Sequence, residues 1–371
     1  MTDAAAPAEN TDRTTANDRL GVPQTWLRPD EWREFTTKSN GTAALILAMY
    51  FFFYFATLYG ALAPLPIWLN VLFALFNGAI IGAIFVIGHD AVHSAFVQSR
   101  KSNRWIARVT FVPCAHAPSL WETVHNKRHH NFTNLKPEDY VWAPLSKAEF
   151  DALARWRQWV ERVYRGPLGP AVYYYFAFWL PKLIVPIAPE MRVEWRKHVF
   201  DSAFLIAAQA ALIVTILMVG KWLGPERPYW LIFVLGWAAP YAMWSYLIAL
   251  IVYLQHTHPR IAWFNDREQW SFYRGNILGT VHIILPFPYF RLSKQVMEHH
   301  AHHALPSIPV YNLPRAQARI KEVFGEDALT ITLTPKTYFG ICSVCKLFDF
   351  EKLQWTDFRG RPTADPIRLS R

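Results

Sequence analysis

Hydrophobic residues fall along this chain in long runs separated by polar stretches, and the runs set the architecture. A helix needs about 20 mostly apolar residues to cross a bilayer. Four runs reach that length, at 43–63, 67–88, 204–223 and 229–255. The first two are joined through ALAPLPIW, whose prolines suit a tight interfacial turn. The last two meet at a turn flanked by Trp222 and Trp230, side chains that favour the bilayer–water boundary. Two further stretches, 106–121 and 171–188, are apolar but broken by proline and charge. They predict helices that lie at the interface or re-enter it, with a fifth or sixth span as the alternative.

Composition agrees with this pattern. The chain is 52% hydrophobic and 16% aromatic, with only 18% charged residues, as expected of a membrane protein with sizeable polar parts. The expected fold is an all-α integral membrane protein. It has about four transmembrane helices, interfacial helices, and a cytosolic helical cap that carries the polar chemistry. Residues 1–30 read as a disordered, solvated tail, 31–360 as one membrane domain and 361–371 as a C-terminal tail. Residues 1–25 lack the apolar core of a signal peptide.

Charge sets the orientation. The turn at 64–66 has no Lys or Arg, and 221–228 has only Lys221 and Arg227. Residues 100–197 and the stretch after Arg291 are rich in both. The positive-inside rule then places both termini and the long middle segment of this multi-pass protein in the cytoplasm. The formal net charge of +10 suits an anionic membrane surface or an acidic partner protein. Nucleic acid is disfavoured, because the basic residues flank apolar segments and form no continuous stripe. Three cysteines exclude a disulfide framework, and the Cys342–Cys345 pair has no partner at zinc spacing, so it reads as ordinary thiols.

The candidate chemistry lies in the histidines. Of 14, most fall in three patches: His89 and His93; His125, His129 and His130; and His299, His300, His302 and His303. Spacings of i, i+3 and i, i+4 put side chains on one helical face, about 5–6 Å apart at Cβ. Four spans bring all three patches to one side of the bilayer. Neutral imidazole is a common metal ligand, and these patches hold more ligands than one ion can take, so two ions are expected. A nitrogen shell argues against Mg²⁺ and Ca²⁺ and suits Fe, Cu or Zn. The inward Glu and ExxH pattern of soluble di-iron bundles is missing. His116 and His198 stand alone and read as structural, while Asp90 and Asn131 are candidates for orienting ring nitrogens. A metal carrier would place ligands along its spans; here they gather at the membrane face, which disfavours transport.

The motifs HDAVH, HNKRHH and HHAHH followed by ALPSIPVYNL resemble the three histidine boxes of the membrane fatty acid desaturases. YLQHTHP at 253–259, FWLPKLIVP at 178–186 and CKLFDFEKLQWTDF at 345–358 are similar to segments of Δ12-type members, and the resemblance covers roughly 30–360. It implies an enzyme with two iron ions that uses O₂, two electrons and two protons to place a double bond in a fatty acyl chain. By motif position it carries the ligand role onto His89, His93, His125, His129, His130, His299, His302 and His303. His256, just after the fourth span, joins them, with His258 as its competitor. His300 is an extra histidine in the third box. Box two carries three residues before its HH pair where many relatives carry two. The acyl group arrives on a lipid, on CoA or on acyl carrier protein. Hydroxylases and acetylenases share every box and remain alternatives. The chain has no HPGG, CxxCH or GxGxxG motif, so electrons come from a separate ferredoxin or cytochrome b5-like donor, whose acidic surface suits a basic face.

Overall fold

Residues 22–139, 141–187, 189–285 and 297–369 are described by the computed structural model. Residues 1–21 of the expected N-terminal tail, Arg291, and residues 370 and 371 lie outside them. Four helices are long and apolar enough to cross a membrane. These are α1 (Asn40–Leu62), α2 (Ile67–Val92), α6 (Trp195–Leu223) and α7 (Tyr229–His256). Between α2 and α6 come α3 (Arg100–Cys114), α4 (Pro118–Trp121, continuing as a π-helix over Glu122–His129) and α5 (Gly169–Tyr173, continuing as a π-helix over Tyr174–Ile184). After α7 come the short α8 (His299–Ala304) and the amphipathic α9 (Leu313–Phe324). Two strand pairs complete the cap. His282–Ile284 runs parallel to Thr330–Thr332, and Leu347–Asp349 runs antiparallel to Gln354–Thr356.

The spans outrun the apolar stretches that predict them, always at the histidine end. α2 continues to Val92, α6 begins at Trp195 rather than at 204, and α7 ends on His256. Apolarity marks the part of a helix that lipid must cover, whereas backbone hydrogen bonding carries the helix on into the cap. Between the spans, polar groups are satisfied locally, as a low-dielectric setting requires. Asn70 Nδ2 donates to Gly60 O at 2.8 Å and Asn77 Nδ2 to Tyr54 O at 2.8 Å, tying α2 to α1.

Two features of the packing position the site. Pro240 lacks an N–H and its ring conflicts with the carbonyl one turn earlier. The chain absorbs this as a π turn over Val234–Ala238 within α7. Nearby, α2 and α7 touch at Gly78, where an added Cβ would lie 2.5 Å from Pro240 O and 2.7 Å from Met243 Cβ. Towards the histidine end a space lies between the same two helices. Meanwhile α3 folds back along α2 and ends when Ala115 adopts a left-handed conformation (φ 53°). The stretches 106–121 and 171–188 are thus largely helical, and α5 presents Phe176, 68% exposed, outward. Within the expected tails, Trp26 and Leu27 are buried, and Ile367 N donates to Leu353 O at 2.9 Å.

Candidate metal centre

Four helix ends deliver the histidines to one place. The last turn of α2 brings His89 and His93, the π-helical part of α4 brings His125 and His129 with His130 just beyond, α7 ends on His256, and α8 carries His299, His302 and His303. Their ring nitrogens form two groups. His89, His93, His125, His130 and His302 make one, and His129, His256, His299 and His303 the other; within each, one nitrogen per residue lies within 4.8 Å of all the rest. The groups adjoin, with the His130 and His303 ring centroids 4.3 Å apart. All nine histidines singled out from the sequence therefore come together.

Their partition differs from the spacing argument. An α-helix would pair His125 with His129. The backbone of α4 is instead π-helical, with His130 N donating to His125 O at 3.0 Å. This i→i+5 geometry puts His130 beside His125, ring centroids 4.5 Å apart, and turns His129 into the second group. In α8 the i, i+4 rule holds for His299 and His303 (4.3 Å), while His302 reaches across to the first group. His258 and His300 belong to neither group. His258 Nδ1 accepts from Arg260 N at 3.1 Å, and His300 Nδ1 lies 3.1 Å from Gln317 Nε2.

The electrostatics fit a cation of the transition series. Burial, reinforced by neighbouring imidazoles, holds His93, His125, His130, His299, His302 and His303 well below the ordinary histidine pKa. These rings are neutral, with a lone pair to give. Nitrogens face one another closely: His89 Nε2 is 2.7 Å from His125 Nε2, and His256 Nε2 is 2.8 Å from His299 Nε2. Nε2 of His93, His302 and His303, and Nδ1 of His130, His256 and His299, are buried without a hydrogen-bond partner. Orphaned buried nitrogens are costly; the free Nε2 atoms of His93, His302 and His303, together with the close Nε2–Nε2 approaches, are explained by a shared electrophile. The donor set is all nitrogen, which suits Fe, Cu or Zn.

Three buried groups orient the second set of rings, and none was evident from the sequence. Asp139 Oδ2 lies 2.9 Å from His129 Nδ1, and the same carboxylate accepts from Asn134 N at 3.0 Å and Val141 N at 3.2 Å. His303 Nδ1 is 3.0 Å from Asn276 Oδ1 and 3.1 Å from Thr133 Oγ1. Asp139 and Asn276 are remote from the histidines they serve, so no local spacing could reveal them. The two residues expected in this role do otherwise: Asp90 accepts from Val310 N at 3.1 Å, and the exposed Asn131 donates to Lys127 O at 3.0 Å. His116 is indeed structural. It bridges Cys114 O and the Tyr174 hydroxyl, each at 2.6 Å. His198, Cys342 and Cys345 are buried outside both groups.

A mostly apolar cavity opens between α2 and α7 and ends on both histidine groups. Ala79, Gly82, Val86 and His89 line one side, and Trp244, Ile248, Ile251 and Gln255 the other. Each set recurs every three or four residues and so forms one stripe of its helix. At a rise of 1.5 Å per residue the α2 stripe is about 15 Å long. Trp121 and Phe178 close the remaining walls.

This combination defines a class: all-α membrane proteins with a polyhistidine site at one face of the spans and an apolar cavity leading to it. The sequence profile of the fatty acid desaturases matches residues 66–335, so the chain belongs to that family. Among curated relatives, sn-1 oleoyl-lipid 12-desaturase of Picosynechococcus sp. is 30% identical over 304 residues, covering 78% of this chain and 80% of the relative. The sn-1 acyl-lipid omega-3 desaturase (ferredoxin) of Synechocystis sp. is 28% identical, covering 69% and 68% respectively. The chloroplastic omega-6 fatty acid desaturase of Brassica napus is 26% identical, covering 78% and 62%. The protein is a membrane-bound fatty acid desaturase.

Proposed function

We propose that this desaturase holds two iron ions on its nine clustered histidines and uses O₂ to place a double bond in a lipid-linked acyl chain, near the position its 12-desaturase relatives act on. One observation carries the reading: the mostly apolar cavity between α2 and α7 terminates on both histidine groups. His89, His93, His125, His130 and His302 would hold one iron, and His129, His256, His299 and His303 the other. The iron pair, when bound, supplies the oxidising power that removes hydrogen from two adjacent methylenes.

The chain's own residues then have definite tasks. Asp139 and Asn276 fix the rings of His129 and His303, so that Nε2 of each faces inward. Gly82 leaves room for a chain beside Trp244, because a Cβ there would already lie 3.5 Å from the indole. Trp121, Phe85 and Phe178 line the approach with hydrocarbon and limit water beside the metals. The electron donor is a separate protein. A ferredoxin is favoured over a cytochrome b5-like protein, because the Synechocystis relative bears that name. The histidine end faces the cytoplasm of a bacterial inner membrane, a reading supported by the excess of Lys and Arg over 100–197.

The test is a lipid profile of cells with and without the chain, paired with metal analysis of protein purified anaerobically with iron. A new double bond and about two irons per chain are expected. Zinc alone would overturn the di-iron assignment. A hydroxylated or triple-bonded product would move the enzyme to a sister activity on the same scaffold.

A further inference from the structure

Behind the first histidine group, on the opposite side of α2 and α4, lies a second cleft. Its walls come from the end of α2 (Ala91 and Val92), from α3, from Ser119 and Glu122 of α4, and from the start of α6 (Lys197 and Asp201). Four cations line it: Arg100, Arg104, Arg108 and Lys197. Two are neutralised in place. Arg108 Nε donates to Asp201 Oδ1 at 2.8 Å, and the other oxygen of that buried carboxylate accepts from Ser119 N at 3.1 Å. Lys197 Nζ donates to Glu122 Oε2 at 2.5 Å. Both carboxylates of the cleft are thereby used.

Arg100 and Arg104 have no ion pair or hydrogen bond among the described residues. They stand one turn apart on α3, where like charges repel. A doubly or singly charged oxyanion seated between them would remove that repulsion.

The location identifies the anion. The cleft sits at the histidine-side ends of two candidate spans, α2 and α6, a level that span length sets among the lipid headgroups. An aromatic side chain that favours this level flanks it: Trp105, 47% exposed. The Arg108 guanidinium lies 4.9 Å from the Trp105 ring and 5.2 Å from that of Phe200. On the membrane side, Trp105 and Val109 of α3 and Phe200 and Ile206 of α6 form an exposed apolar strip. We propose that this cleft binds the phosphate headgroup of an anionic glycerophospholipid, with the lipid's acyl chains lying on that strip. The site is separate from the acyl cavity. Because α2 and α4 also carry His89, His93 and His125, a lipid seated there braces the metal-bearing helix ends from behind.

The experiment compares the full-length protein in nanodiscs of dioleoylphosphatidylcholine with and without dioleoylphosphatidylglycerol. It reads the melting temperature, and the lipids retained in native mass spectrometry. Phosphatidylglycerol should raise the melting temperature and leave one lipid tightly retained. Arg100→Gln/Arg104→Gln should weaken that retention about thirtyfold, from the attraction lost with two cations, while melting as wild type in pure phosphatidylcholine. Arg100→Lys/Arg104→Lys should keep most of it. Arg155→Gln/Arg157→Gln, remote from the cleft, should change nothing. If the double glutamine variant does not fold, each single variant is read in the same assay.

Undiminished retention after neutralising Arg100 and Arg104 overturns the proposal. So does an equal loss in the Arg155/Arg157 control, which would show only a general surface-charge effect. If inorganic phosphate reproduces the stabilisation without lipid, the cleft takes a small soluble anion and the lipid assignment fails.

Discussion

Asp139→Asn isolates the contribution of one buried charge to the centre. The carboxylate lies 2.9 Å from His129 Nδ1 and accepts two backbone N–H groups as well. Asparagine keeps the shape and one acceptor oxygen but removes the charge. Hydrogen bonds to a charged group contribute about 1.5–3 kcal/mol, and neutral ones about 0.5–1.5. The contact to His129 therefore loses roughly 1–1.5 kcal/mol, which is about one decade of metal affinity. That matches the low end of the 10–100-fold typical when a ligand loses its orienting partner. The assay is anaerobic competition with a chromogenic iron chelator on purified protein. The half-extraction point of one iron should fall about tenfold, while the other iron changes little; the amide NH₂ replaces the oxygen that accepts from Val141 N, so the metal-free protein should melt slightly lower. Asp139→Ala should be worse. It strands the Asn134 N–H group in addition to that of Val141, at about 1–3 kcal/mol each, so the metal-free protein should melt lower still. Wild-type iron affinity in Asp139→Asn would refute the reasoning, and would reduce Asp139 to a turn-former that holds residues 134–141 in place.

Other expectations follow from the same geometry. His129→Ala and His302→Ala remove one ligand from each group, so each should abolish product while the protein still inserts in the membrane; activity retained in both would show the ligand sets are misassigned. His300→Ala should be milder than His299→Ala in product yield and iron content, because His300 packs against Gln317 outside both groups; the reverse order would shift the register of the third box. Gly82→Leu should fill the acyl cavity beside Trp244 and suppress desaturation with iron content unchanged, and a fully active variant would place the substrate elsewhere. Burial pushes His116 down to about 4 from its ordinary 6.5. It is therefore neutral in the fold and protonates on unfolding: its contribution is complete above pH 6.5 and is lost towards pH 4, at up to about 1.4 kcal/mol per pH unit. Denaturation of His116→Gln across that window should show a shallower pH slope than wild type, and an identical slope would refute the assignment.

The number of spans and the chemical character of the site can both be read from the order of residues alone. Hydrophobic run length fixes the spans, because only a long apolar helix satisfies both its backbone and the lipid. Histidine clustering fixed the donor chemistry, because no core needs so many imidazoles at adjacent helix ends. His256 was legible only through the family resemblance, which sets a histidine just after the fourth span and left His258 as its competitor.

What only tertiary structure decided is the division of labour. Spacing pairs His125 with His129, yet a π-helical backbone in α4 gives His130 to one group and His129 to the other. A hydrogen-bond register shift of one residue leaves no mark on hydrophobic periodicity. The partners of His129 and His303 were likewise hidden, since Asp139 and Asn276 come to these rings through loop and chain packing rather than through any helical repeat. The cavity depends on where α2 and α7 touch, at Gly78 beneath a proline-induced π turn, and where they part. A single chain records what each helix carries. Only the packing of helix against helix, which is a matter of shape and contact distance, sets which nitrogens face the same point in space.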